Sequence, residues 1–272
     1  MSLQILTSKQ RVEQMHHLSI SREGPVEIWQ LDRPDRLNAI GPSMAKELFT
    51  AMTLLKKNLK KATRTTIKGL IIKASTVHSK NKQAYWIAGG DLQELARIHK
   101  KEAAIYAEHM HAICRFIEQA PIPVIAEISG GAIGGGAELA LAADIRIGNA
   151  ASFFQFKQLS LGLCTGYGGG SRLVALVGKA KAQQLLYGQE IITAERAYDI
   201  GLLTHFSSDV NLEKHIARIV KDYMLDDSKA FIAQKQILSR AAPQTTSFDL
   251  KTFLSTWANP RHRKQLDAWK KG

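Results

Sequence analysis

The segment Ile128-Ser129-Gly130-Gly131-Ala132-Ile133-Gly134-Gly135-Gly136-Ala137-Glu138-Leu139 decides the architecture: an apolar strand, Pro123 to Ile128, runs into glycines and then into an apolar helix start. A shorter version, Trp86-Ile87-Ala88-Gly89-Gly90-Asp91-Leu92, lies upstream. Each leaves unhindered backbone N–H groups at a strand end, where glycine admits a ligand closely and a following helix N-terminus adds partial positive charge. Singly, such glycines need only allow tight turns. Two such amides aimed at one point make an oxyanion hole. Glu138, just past Gly135 among apolar neighbours, has no sequence-near partner. Burial raises the pKa of such a carboxylate and makes it a candidate general acid or base.

Working outward, Val26 to Leu31 and Lys68 to Lys73 read as strands flanking a helix, Pro42 to Leu59, with Met44, Leu48, Met52 and Leu55 on one face. A second unit follows, with a strand at Ala84 to Ala88 and a helix at Glu102 to Gln119. Ile105, Ala112, Ile113, Phe116 and Ile117 are expected to form its apolar stripe, and Pro121 and Pro123 to stop it. Gly130 to Gly136 reads as a turn into a helix, Ala137 to Ala143, before a strand at Ile145 to Ile147. From Gly168 the pattern is helix after helix: Ser171 to Val177, Ala180 to Leu186, Ala194 to Asp199, Leu212 to Met224, Lys229 to Ala241, Phe248 to Thr256 and Arg261 to Trp269. The expected organisation is an α/β core over 1–200 and a helical C-terminal region over 201–272.

The chain has 272 residues, 45% of them hydrophobic, enough to bury a sizeable core. Its apolar runs fall well below the roughly 20 residues needed to cross a bilayer, and the N-terminus lacks the pattern of a secretory leader. A cytoplasmic location is expected, without a membrane partner. Cys114 and Cys164 are too few for a disulfide framework or a cysteine-based metal site. His109 and His111, like His16 and His17, are spaced so that neither pair shares a metal unaided. The formal charge of +13 admits nucleic acid, acidic lipid or a phosphate-bearing cofactor as partner. Its basic runs, Lys56 to Arg64, Arg97 to Lys101, Lys179 to Lys181 and Arg261 to Lys271, equally suit a solvated surface. The spacing G-x-G-x-x-G is absent from both glycine-rich stretches, Gly178-Lys179 is followed by Ala180 rather than a hydroxyl residue, and no serine sits in a G-x-S-x-G elbow. Dinucleotide, P-loop and hydrolase readings therefore lack support.

Together with Leu31-Asp32-Arg33-Pro34-Asp35-Arg36-Leu37-Asn38-Ala39, Leu161-Gly162, Gly168 to Leu173 and Ala194 to Leu202, the two glycine-rich segments resemble the enoyl-CoA hydratase/isomerase (crotonase) superfamily, collinearly from about residue 25 to 205. The resemblance implies a crotonase-like superhelix of repeated β-β-α turns with a helical C-terminal region that drives homotrimers or homohexamers. It implies an acyl-CoA substrate, coenzyme A entering only as part of it, with no tightly bound cofactor, no metal and no DNA partner. Its thioester carbonyl is then held by the amides of Gly90 and Gly135. Ala88, Gly90, Asp91 and Leu92 are expected beside the CoA adenine, and Arg36 and Leu37 along the pantetheine path.

Hydratases of the family hold water between two glutamates. The first aligns with Glu138; the second position carries Gln158. An amide orients water but has no proton to exchange near neutral pH. The expected activity is an acyl-CoA hydratase or isomerase type of reaction in which Glu138 transfers protons and Gln158 positions. Decarboxylation through the same enolate, or a catalytically weak homologue that binds acyl-CoA or RNA, stays open as an alternative. If Glu138 is structural, Cys164 and Tyr167 on the loop after Gln158 are the next groups to consider.

Overall fold

The computed structural model describes residues 9–60, 67–208, 212–223, 228–241, 247–257 and 259–270. Strands β1 (Lys9–Gln14), β2 (Leu18–Glu23) and β3 (Val26–Leu31) form an antiparallel meander, and helix α1 (Pro42–Lys60) leads to β4 (Gly69–Ala74). From β4 the chain repeats one pattern. β4 is followed by β5 (Val77–His78), β6 (Ala84–Ile87), α2 (Leu92–Leu95) and α3 (Lys100–Gln119). The next turn is β7 (Val124–Ile128), β8 (Gly131–Ile133) and α4 (Gly135–Ala142), and the one after is β9 (Ile145–Asn149), β10 (Phe153–Gln155), α5 (Gly169–Val177) and α6 (Lys179–Gly188). The remainder comprises β11 (Ile192–Thr193), α7 (Ala194–Asp199), β12 (His205–Ser207), α8 (Glu213–Tyr223), α9 (Ser228–Ala241), α10 (Ser247–Thr256) and α11 (Pro260–Lys270).

Each turn of the repeat adds one strand to the larger of two sheets and one, or in the first turn two, to the smaller. The larger has the order β1-β2-β3-β4-β7-β9-β12 and the smaller β11-β10-β8-β6-β5. Strands β4, β7 and β9 are parallel in the first, as are β6, β8 and β10 in the second. A parallel sheet is stable only with both faces covered, and the larger one meets that demand by alternation. Trp29, Leu31, Leu70 and Ile72 face the main core with α1 and α3, whereas Val26, Ile28, Ile71, Ile125 and Ile147 pack on Ile216, Ile219 and Val220 of α8.

The expected α/β class stands, with several corrections. The stretch after Gly168, expected to be helix after helix, also holds β11 and β12, strands of two and three residues too short to show alternation, which join the smaller and the larger sheet. Gly130 to Gly136 is not one turn, because Gly131–Ile133 is recruited as β8 between β6 and β10; three residues show no alternation on their own. The buried stripe of α3 runs through Ala103, Tyr106, Ala107, Met110, Ile113, Cys114 and Ile117, which leaves Ile105 52% exposed. In the helical region expected to drive oligomers, Phe253 and Trp257 are already buried within the single chain. Residues 61–64 and 271 of the basic runs, Met224 and the side chain of Phe248 lie outside the described residues.

The opening loop is pinned by Asn38, fully buried at φ 56°, a left-handed conformation that asparagine tolerates better than most residues. Its Oδ1 accepts from Arg33 N at 2.8 Å, and its Nδ2 donates to Ser75 O at 2.9 Å and Trp86 O at 3.1 Å. Asn38→Ala strips this partner from three backbone groups and should cost about 3 kcal/mol, given roughly 1–3 kcal/mol per buried unsatisfied group. Denaturant titration checks this; a loss below about 1 kcal/mol would contradict it.

Candidate active site

The two glycine-rich exits meet because β6 and β8 are parallel neighbours, Tyr85 pairing with Gly131 and Ile87 with Ala132, so their C-terminal ends open side by side. Glycine is required where they cross. A Cβ on Gly136 would stand 2.5 Å from Ile87 O, and one on Gly89 3.0 Å from Ile133 O and 3.8 Å from Gly135 N. Gly89 (φ 95°) and Gly134 (φ 50°, ψ −115°) also occupy conformations closed to most side chains.

Two amides at this crossing take no part in the backbone ladder of the described residues. Gly135 opens α4, so its N–H has no intrahelical acceptor. Gly90 is bridged to Ile40, yet the bridge uses Ile40 N to Gly89 O at 2.7 Å and Asp91 N to Ile40 O at 3.1 Å, passing over the Gly90 amide. Both glycines line a cavity of about 320 Å³, together with Ala88, Leu92, Glu138 and Gln158.

Glu138 is 2% exposed, and its acceptor capacity is filled. Oε1 accepts from Gln158 Nε2 at 2.9 Å and Gly166 N at 3.2 Å; Oε2 accepts from Tyr167 N at 2.8 Å and Gly169 N at 2.9 Å. Burial pushes the carboxyl above its usual range, while the four N–H donors pull it back. The carboxylate that lacked a partner in sequence is thus the anchor of the loop entering α5. Gln158 must turn its Nε2 toward the carboxylate, because Oε1 there would set oxygen against oxygen. Its Oε1 is consequently buried without a hydrogen-bond partner in the cavity wall.

The other expected site residues divide. Arg36, Leu37 and Asp91 are not in the cavity wall. Arg36 hydrogen-bonds Gln93 on the surface, and Leu37, at φ 51°, accepts from Ala88 N through its carbonyl. Asp91 is 4% exposed, caps α2 through the N–H groups of Gln93 and Glu94, and pairs with Arg33 at 2.8 Å. Its side chain serves the fold.

Sequence reasoning named Tyr167 only as a fallback and missed the rest of the aromatic wall. Tyr106, which reads as an ordinary core position of α3, meets Tyr167 with their hydroxyl oxygens 2.5 Å apart. Tyr167 packs against Phe253 and Phe253 against Trp257, with centroids 6.3 and 5.5 Å apart. Phe253 of α10 and Trp257 just past its end line the cavity along with Gln265 and Trp269 of α11. Helix α11 is fastened there by His262 Nδ1 against Leu161 O at 3.0 Å and by Asn259 Nδ2 donating to Gly162 O at 2.7 Å. No local periodicity announces these contacts.

Among the described residues, no group of three or more His, Cys, Asp or Glu could hold a metal, and no helix is long and apolar enough to cross a membrane. His109 stacks on Phe49 with centroids 4.2 Å apart.

Comparison with known proteins gives a consistent result. A family profile described as enoyl-CoA hydratase/isomerase matches residues 22–270. Enoyl-CoA isomerase/hydratase fer4 of Mycosarcoma maydis is 30% identical over 215 residues, covering 78% of this chain and 76% of the relative. Crotonyl-CoA hydratase of Syntrophomonas wolfei is 30% identical over 203 residues, 75% of this chain and 74% of the relative. The crystal structure of an enoyl-CoA hydratase/isomerase from Mycobacterium paratuberculosis shares the fold, with a TM-score of 0.81 at 20% identity over 94% of this chain and 100% of that one.

Proposed function

The chain belongs to the enoyl-CoA hydratase/isomerase family, and on that premise we propose that it binds an acyl-CoA thioester and stabilises its enolate between the amides of Gly90 and Gly135. The observation that carries this reading is the side-by-side opening of β6 and β8, with both amides left out of the backbone ladder. Donors fixed before the reaction stabilise negative charge as it develops on the thioester oxygen, without reorganising at that moment.

Glu138 then moves the proton. Burial makes it a stronger base than an exposed carboxylate, and the four donors hold it ionised and aimed. Accepting a proton displaces one of them, the Gly166 amide at 3.2 Å being the longest contact. Gln158 positions: its unpartnered Oε1 is an acceptor for the O–H of water or of a substrate hydroxyl. In hydration, water adds its oxygen to Cβ of the enoyl thioester, and a proton reaches Cα of the enolate that results. One carboxylate serves both transfers here, which weakens a fast hydratase and a simple isomerase alike and favours a slow hydratase or a decarboxylase. The cavity wall, with Leu92, Leu161, Phe253 and Trp257, suits the apolar parts of an acyl-CoA.

The competing reading is a homologue that binds acyl-CoA or RNA without turning anything over, favoured by Gln158 and by the saturation of Glu138. Calorimetry with CoA esters and a turnover panel of enoyl-CoA and malonyl-type esters separate the two. RNA affinity that collapses with salt, without turnover, would support the competitor. In the family manner, a cytoplasmic trimer or dimer of trimers is proposed, consistent with Ile237 and Leu238 of α9 at 60% and 62% exposed in the single chain. Light scattering at micromolar concentration should find no monomer; a monomer would refute this assembly.

Glu138→Gln should abolish proton-transfer turnover with CoA affinity changed only a few fold. Gln158→Glu should raise hydration of a short enoyl-CoA by about 10²-fold, the usual scale of general acid–base catalysis. Because the base must be ionised, wild-type turnover should fall as pH drops through the raised Glu138 pKa, placing the acid limb above the ordinary carboxylate range. Full activity in Glu138→Gln, or an acid limb at an ordinary carboxylate pKa, would assign the chemistry elsewhere.

A further inference from the structure

We propose that the Tyr167 hydroxyl, backed by that of Tyr106, is a third hydrogen-bond donor to the thioester oxyanion, beside the amides of Gly90 and Gly135. The inference rests on the acyl-CoA reading above and assigns that site a further catalytic residue. Both phenols lie against the amide-bearing glycines. The Cβ position of Gly135 is 2.6 Å from the Tyr167 ring and 3.3 Å from its hydroxyl, and that of Gly90 is 3.5 Å from the Tyr106 hydroxyl. With the two hydroxyls 2.5 Å apart, the pair bridges the two glycines along one side of the hole.

The hydrogen-bond inventory shows how the pair is used. Each phenol has one proton to donate. In one arrangement Tyr106 donates to Ile40 O at 3.1 Å and Tyr167 donates to Tyr106. Ile40 O is already satisfied by Asp91 N, so Tyr106 is free to turn its proton toward Tyr167 instead. Tyr167 then points its own proton into the cavity. The change rotates two O–H bonds and transfers no proton. Burial raises both phenol pKa values, keeping each a neutral donor across the working pH range.

The ring is held as a fixed donor requires. Tyr167 N donates to Glu138, its carbonyl accepts from Arg172 Nη1 at 2.6 Å, and Arg172 Nη2 is paired with Glu118 at 2.9 Å.

The test uses acetoacetyl-CoA, whose bound enolate absorbs in the ultraviolet, and follows the enolate band against pH in the intact protein. Tyr167→Phe keeps the ring and deletes only the hydroxyl. It should move the enolate midpoint to higher pH by about one unit or more, a roughly tenfold or greater loss of enolate stabilisation, with acetoacetyl-CoA affinity in the keto form within a few fold. Tyr106→Phe should shift it less, in the same direction, and the double variant no further than Tyr167→Phe alone. A merely structural Tyr167 would lower the melting temperature without moving the midpoint. Coincident midpoints in wild type and Tyr167→Phe, with both binding, would overturn this proposal and leave the acyl-CoA reading standing. Failure of wild type to bind acetoacetyl-CoA would overturn both. If Tyr167→Phe does not fold, an unshifted midpoint in Tyr106→Phe overturns the proposal.

Discussion

The parallel pairing of β6 with β8 is the constraint on which the rest of the site depends. Parallel strands end on the same side, so whatever follows one lies beside whatever follows the other. The glycines make this adjacency close enough to use. Gly136 rides over the Ile87 carbonyl where a methyl group would meet it at 2.5 Å, and Gly89 sits against Ile133 O and near Gly135 N. Backbone atoms cannot be pushed aside as a side-chain tip can, so a Cβ at Gly136 would drive the two exits apart. The positions of the Gly90 and Gly135 amides are thus a property of sheet geometry, and the oxyanion hole proposed for them would draw its rigidity from it.

Glu138 joins that sheet geometry to the helical half of the chain. It stands on the first turn of α4, behind one amide, and gathers the N–H groups of Gly166, Tyr167 and Gly169 together with Gln158. A buried carboxylate is costly unless its oxygens are satisfied, and here every donor comes from the loop between β10 and α5 or from the turn that begins it. The same carboxylate therefore fixes the loop that carries Tyr167. Phe253, Trp257 and His262 continue the contact from Tyr167 to α11, so the C-terminal helices belong to the site wall as well as to the periphery.

Much of this was legible in the sequence, and the boundary between read and unread is physical. The strands and helices with long, clean periodicity, β3, α1, β4 and β7, fall within a residue or so of their expected bounds. The glycine-rich exits and Glu138 were singled out because glycine and a lone carboxylate in apolar surroundings are local signals, whereas Gln158 was singled out only through the family resemblance. Strand β8 was not, since Gly131–Ile133 becomes a strand only through its neighbours β6 and β10. Tyr106 was indistinguishable from any core residue of α3, and its partner lies 61 positions away. The roof formed by Phe253 and Trp257 depends on how α10 packs, which the apolar residues alone do not encode. Asp91 illustrates the reverse: a polar residue beside a site can be spent on capping a helix and pairing with Arg33.

The central claim is that two converging amides polarise a thioester carbonyl, and infrared difference spectroscopy of a carbonyl-labelled enoyl-CoA bound to the wild-type protein tests it most directly. Two strong donors weaken the carbon–oxygen bond, so the account predicts that the labelled band moves to lower frequency on binding and narrows as the oxygen is held in one environment. A band that stays at its aqueous position with the ester demonstrably bound would contradict it.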